Sequence, residues 1–342
     1  MATMVNVRSE PSGVLARGRM LGPALVGLAM AGGCFTAKID PDLGGVFVCG
    51  EDENDGTCPS SLVCVNARCE DADLVPELAL TGPEDEEVIA RQDVLDMGML
   101  MGPMPGMIDV DVRVRGSLQL VSASAGADPT FGEGHVRISI DGNEPVTIDE
   151  GSINVPQLVT MQVRGVAGAH RIVAQAFRND GEPYDNPEAT ATRLFWLKND
   201  LIDRPMVAIK SPWPGTVLTV DDQTIDVELA TIGFDLSPPG EAPQERKGHA
   251  HLYYDDRVRY PDCVFEEDCR ESYLELADGL PDPLKLPESM AEGAVITAVL
   301  ANGDHTTYGF PFPCDPTVPG PLELCTPVFD AVDIVRVEVD EE

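Results

Sequence analysis

Gly248-His249-Ala250-His251-Leu252-Tyr253-Tyr254-Asp255-Asp256 alternates along its length. Successive side chains of a strand point to opposite faces, so Ala250, Leu252 and Tyr254 share one face and His249, His251, Tyr253 and Asp255 the other. An earlier stretch, Gly134-His135-Val136-Arg137-Ile138-Ser139-Ile140-Asp141-Gly142, repeats the pattern. There Val136, Ile138 and Ile140 make the apolar face, and His135, Arg137, Ser139 and Asp141 the polar one. The same strand is therefore expected twice.

Other landmarks recur in the same order. Leu78-Ala79-Leu80 before Thr81-Gly82-Pro83 matches Val207-Ala208-Ile209 before Ser211-Pro212-Trp213-Pro214-Gly215. Ile108 to Val112 matches Ile225 to Leu229, and Gly168 to Ala174 matches Gly293 to Val299. Arg193 to Leu197 and Asp333 to Val339 close the two halves. An internal duplication accounts for this order. Short alternating strands between Pro and Gly turns predict a β-sandwich for each repeat. The fold expected is all-β: two tandem sandwiches, at 74–200 and 201–342, behind a small disulfide-rich module.

Composition agrees with that class. Among 342 residues there are 32 Gly and 29 Pro, while aromatic residues make up only 5%. The formal net charge of -36 disfavours nucleic acid or an anionic lipid surface as a non-specific partner. Asp52-Glu53-Asn54-Asp55-Gly56 lacks EF-hand spacing and reads as a turn.

Arg8, Arg17 and Arg19 precede an apolar run from Met20 to Ala31, too short to span a bilayer and laid out as an export signal over 1–33. The nine cysteines fall as Cys34, then Cys49, Cys58, Cys64 and Cys69, then Cys263, Cys269, Cys314 and Cys325. Two even sets predict disulfides in an oxidising compartment and leave Cys34 over. The four cysteines of the 34–73 module allow three pairings. The late four fall in two insertions and read as local staples, Cys263–Cys269 and Cys314–Cys325, or as links between the loops.

Ala31-Gly32-Gly33-Cys34 resembles a bacterial lipobox, which implies lipidation of Cys34 and a membrane partner through that anchor. Ordinary cleavage after Ala31, giving a freely secreted protein, is the alternative. Cys58-Pro59, Cys64 and Cys69 resemble the cysteine stub of myxobacterial-type surface lipoproteins, which implies a spacer at the cell envelope. The order of strand motifs resembles bacterial immunoglobulin-like domains. The second repeat is similar to a small extracytoplasmic family marked by Gly-His-x-His-x-Tyr-x-Asp, a Gly-led strand and a later His, here Gly248 to Asp255, Gly293 to Leu300, and His305. The first repeat departs from it, with Arg137 for the second His and Glu182 near the position of His305.

No nucleophile elbow, phosphate-binding Gly loop or His-Glu zinc helix occurs, and no catalysis is expected. The expected function is binding or structural display at the envelope, toward an envelope protein or glycan. His249, His251 and His305 are the candidate site. One reading is an exposed polar face hydrogen-bonded to Tyr253 and Asp255. The other is a copper or zinc site, since imidazole suits both metals. Antiparallel pairing of the Gly248 and Gly293 strands would bring His305 to the other two. Met97 to Met107 holds five of the twelve methionines and reads as an adaptable loop or a soft-ligand site.

Overall fold

The computed structural model describes residues 38–40, 46–49, 58–59, 62–95, 105–219, 224–240, 242–255, 273–277, 282–285, 294–305, 308–310, 326–327 and 332–340. Cys34, the methionines from Met97 to Met104, and Cys263, Cys269, Cys314 and Cys325 lie outside these residues.

Four short strands, β1 (Lys38–Asp40), β2 (Val46–Val48), β3 (Leu62–Val65) and β4 (Arg68–Asp71), form the N-terminal module in the order β1-β2-β4-β3. The first sandwich runs through β5 (Leu78–Gly82), β6 (Glu87–Arg91), β7 (Met107–Gly116), β8 (Gln119–Leu120), β9 (Glu133–Ile140), β10 (Val146–Ile148), β11 (Gln157–Arg164), β12 (Gly168–Arg178) and β13 (Thr190–Asn199). The second uses β14 (Met206–Ser211), β15 (Val217–Thr219), β16 (Thr224–Ile232), β17 (Asp235–Leu236), β18 (Lys247–Asp255), β19 (Tyr273–Leu276), β20 (Asp282–Lys285), β21 (Ala294–Asn302) and β24 (Val332–Asp340), with the small pair β22 (Gly309–Phe310) and β23 (Thr326–Pro327) before β24.

The two sandwiches share one strand order. In the first, β11-β7-β5 faces β10-β9-β12-β13-β6; in the second, β20-β16-β14 faces β19-β18-β21-β24-β15. In both, the short strand after the first kink crosses to the larger sheet and pairs parallel with the last strand. This is the immunoglobulin-like arrangement, so the all-β expectation holds. β7 shows why the strands form: Ile108, Val110, Val112 and Val114 enter the core while Asp109, Asp111, Arg113 and Arg115 stay outside.

The Gly before each of the paired histidines has a backbone cause. A Cβ on Gly134 would lie 1.8 Å from the Phe177 carbonyl oxygen, and one on Gly248 would lie 2.0 Å from that of Ala301. Only glycine lets β9 approach β12, and β18 approach β21, so closely.

Three features of the packing lie beyond what the alternation pattern foretells. The face of β18 carrying His249 and His251 is not exposed: they are 0% and 6% accessible. β18 lies between β21 and β19, and Thr297, Val299 and Ala301, their same-face neighbours on β21, are buried too. Alternation distinguishes two faces without saying that the polar one is wet. Second, the cysteine module packs against the first sandwich. Val65 belongs to the core of the first sandwich, and the Asn66 N–H donates to Asp185 Oδ1 at 2.7 Å. Third, the sandwiches share a small core of their own. Leu194 and Trp196 of β13 pack with Met206 and Ala208 of β14 and Ala230 of β16.

Candidate functional site

β18 pairs antiparallel with β21, placing Gly248 opposite Asn302 and His249 opposite Ala301. The chain then turns through Asn302-Gly303-Asp304-His305, closed by the His305 N–H donating to the Asn302 carbonyl at 3.0 Å. This turn folds His305 back over the histidine face of β18. Its ring centroid lies 4.8 Å from that of His249 and 5.7 Å from that of His251. On the other side of β18, β19 sets Glu275 directly opposite His251. Four side chains thus converge, two from β18, one from its neighbour β19 and one from the turn that follows β21. One donor atom from each lies within 4.8 Å of all the others.

The contacts within the group are polar. His249 Nε2 and His251 Nε2 are 2.8 Å apart, so one carries the proton and the other accepts it. The Tyr253 hydroxyl lies 3.3 Å from His251 Nδ1 and orients that ring. His305 Nδ1 is 3.2 Å from Glu275 Oε1. Burial, and next the neighbouring His305, hold His249 below the ordinary histidine pKa. Its buried Nδ1 has no hydrogen-bond partner among the described residues. His249 and His251 form the floor, whereas His305 and Glu275 are partly open to solvent. The arrangement offers three nitrogen donors and one oxygen donor to a single point.

The first sandwich carries the same frame with other residues. His135 stands at the place of His249, opposite Phe177 instead of Ala301. Arg137 stands at the place of His251, and its cross-strand partner is Thr147 where His251 has Glu275. The turn Arg178-Asn179-Asp180-Gly181 matches Asn302 to His305: Gly181 N–H donates to the Arg178 carbonyl, and one hairpin further on Tyr184 and Tyr308 return to Ala176 and Leu300. The counterpart of His305 is therefore Gly181, with Glu182 one place beyond it. In this sandwich the Phe177 ring stacks on His135 at 5.4 Å, and the Arg137 guanidinium sits over that ring at 4.1 Å.

The structure brings His249, His251 and His305 together. Glu275 was missed in the sequence because only the register of β18 on β19 reveals it. The alternation of Tyr273-Leu274-Glu275-Leu276 was the available signal. Near the N-terminus the pairing open in the sequence is resolved as Cys49–Cys64 and Cys58–Cys69, which takes these sulfurs away from any metal.

Fold and cluster together define a tandem immunoglobulin-like protein with a three-histidine, one-carboxylate group on its second domain. No family model and no curated protein matches the chain. Among solved structures it is similar to the fibronectin(III)-like modules of Clostridium thermocellum CbhA, at 11% identity over 77% of this chain and 93% of that one, with a TM-score of 0.21. It is also similar to the titin domains Z1Z2 in complex with telethonin, at 10% identity over 78% and 96%, with a TM-score of 0.19. Superpositions this loose carry no argument; the fold assignment rests on the strand order above.

Proposed function

We propose that this chain is an exported, non-catalytic protein, lipid-anchored to the bacterial envelope through Cys34, that presents its second sandwich to an envelope protein or glycan. The signal-like N-terminus and the leftover cysteine support export and anchoring. The observation that carries the display role is the continuous joint from module to second sandwich. Val65 enters the first core, and Trp196 and Met206 share an apolar patch across the domain boundary. Arg171 of the first sandwich also pairs with Asp333 of the second. Such a joint holds the outer domain at a set orientation instead of letting it swing, which lowers the ordering cost of binding.

Fractionation of cells expressing Cys34→Ser tests the anchor. The wild type is expected in membrane pellets and the variant in the soluble fraction. Equal membrane association of both, or a native mature chain starting at Gly32, would refute lipidation at Cys34.

A further inference from the structure

We propose that His249, His251, His305 and Glu275 bind one divalent transition-metal ion of the zinc or copper(II) class. The donor set decides the class. Calcium and magnesium take oxygen donors, and copper(I) takes sulfur; three imidazoles with one carboxylate suit zinc(II) or copper(II).

Two independent observations point to a ligand. The first is the backbone at His305, which sits at φ +66, in the left-handed region. The matched position of the first sandwich is Gly181, at φ +97. A turn closed by the same hydrogen bond thus accommodates glycine in one domain and holds a histidine in the other, at a backbone cost that glycine does not incur. Residues held in such conformations cluster at ligand clamps. The second is the fixed cation of the first sandwich. Arg137 and Phe177 fill that face from within, whereas the second sandwich has His251 and the small Ala301 there, with Glu275 in place of Thr147. The second domain has exchanged a built-in cation for donors around a point.

The buried pair already has nearly the required spacing, and His305 and Glu275 close in from within 4.8 Å. Donors about 2.0–2.1 Å from a tetrahedral ion lie about 3.3 Å from one another. His249 Nε2 and His251 Nε2 are already 2.8 Å apart, so the ion takes the place of the proton between them, which moves to Nδ1 of the ring that carried it, and the rings part slightly. Tyr253 holds His251 from behind, as outer-shell partners of metal-bound histidines do. Partly exposed His305 and Glu275 give the ion its way in.

The test uses the oxidised full-length chain, stripped with chelator and titrated with Zn²⁺, Cu²⁺ and Ca²⁺, with Co²⁺ as an absorbing probe. One Zn²⁺ or Cu²⁺ per chain is expected, tighter than about 10 μM. Ca²⁺ should not compete, and Co²⁺ should give the intense visible band of a tetrahedral site. His305→Gly restores the residue that the first sandwich uses in this turn. It should fold at least as stably without metal, yet bind at least about tenfold more weakly, as should Glu275→Gln. Absence of saturable binding by the wild type, or unchanged affinity in both variants, overturns the proposal. Neither result bears on lipidation at Cys34.

Discussion

Arg171 of β12 reaches across the domain boundary and grips Asp333 of β24 with both guanidinium arms. Nη1 lies 3.3 Å from Oδ1, and Nη2 pairs with Oδ2. The contact is locked on a third element: Arg171 Nη2 donates to the Ile209 carbonyl at 2.9 Å, while the Ile209 N–H donates to Asp333 Oδ2 at 2.6 Å. Both side chains are nearly buried. Removing one partner strands the other charge in a dry interface, which costs about 3–5 kcal/mol. Arg171→Met is therefore expected to uncouple the sandwiches. Calorimetry should show two transitions for the variant and a single coupled one for the wild type. A variant melting as one unit at the wild-type temperature would remove the rigid joint from the display reading.

The close approach at Gly248 makes a second expectation. Alanine there would place its Cβ 2.0 Å from the Ala301 oxygen, and backbone cannot yield as a flexible side chain can. Gly248→Ala should cost at least the upper end of the about 1–3 kcal/mol typical of overpacking. Gly134→Ala should behave alike, since its Cβ would meet the Phe177 oxygen at 1.8 Å. Gly106→Ala, with nothing within 4 Å, should be nearly neutral. Urea titration of the three variants checks this; a mild effect at Gly248 would contradict the tight pairing of β18 with β21 that positions His305.

Much of this architecture is legible in the sequence alone. The strands at 108–112, 134–140 and 249–254 follow from period-two alternation, and the doubled landmarks gave two sandwiches in order. The three histidines were legible because two share a strand face and the third follows a strand that could run antiparallel to it. What escaped depends on tertiary placement. Glu275 joins His251 only through cross-strand register, 24 positions away in sequence. The burial of His249 depends on what packs on the outer sheet face, about which an alternating sequence is silent. Gly181 was hidden as the counterpart of His305 because matching by residue type favours the neighbouring Glu182, whereas the turn's hydrogen bonds select the glycine.

The docked module gives a third expectation. Val65 is fully buried in the first core, and Asn66 ties the same turn to Asp185 and to the Pro183 carbonyl, the latter at 2.9 Å. Val65→Ala removes two buried methyls, a loss of about 1–3 kcal/mol that must appear in the stability of the first sandwich. A free tether would transmit none of it. Peptide mapping without reductant should recover Cys49 with Cys64 and Cys58 with Cys69. Each short loop so closed contributes about 3 kcal/mol, so reduction should release the module before it melts the sandwich. Finding Cys49 joined to Cys58 would contradict this arrangement.

The last expectation concerns acid. His135 is buried against Phe177, and its pKa lies below the ordinary 6.5, first through desolvation and then through the nearby Arg137 charge. The sign follows from proton counting. Between 6.5 and the lower folded value, the unfolded chain binds a proton at this site that the folded chain refuses. Stability present above pH 6.5 is therefore lost as the pH falls through that window, and the loss stops below the folded value. Replacing His135 by Gln removes the titration while keeping a polar side chain of similar reach. The variant's denaturation midpoint should fall less steeply than the wild type's as the pH drops below 6.5, whatever the offset between the two curves at pH 8. Parallel curves across that range would show that His135 takes up its proton as readily folded as unfolded, and would contradict the dry, cation-flanked environment that β9 and β12 build around it.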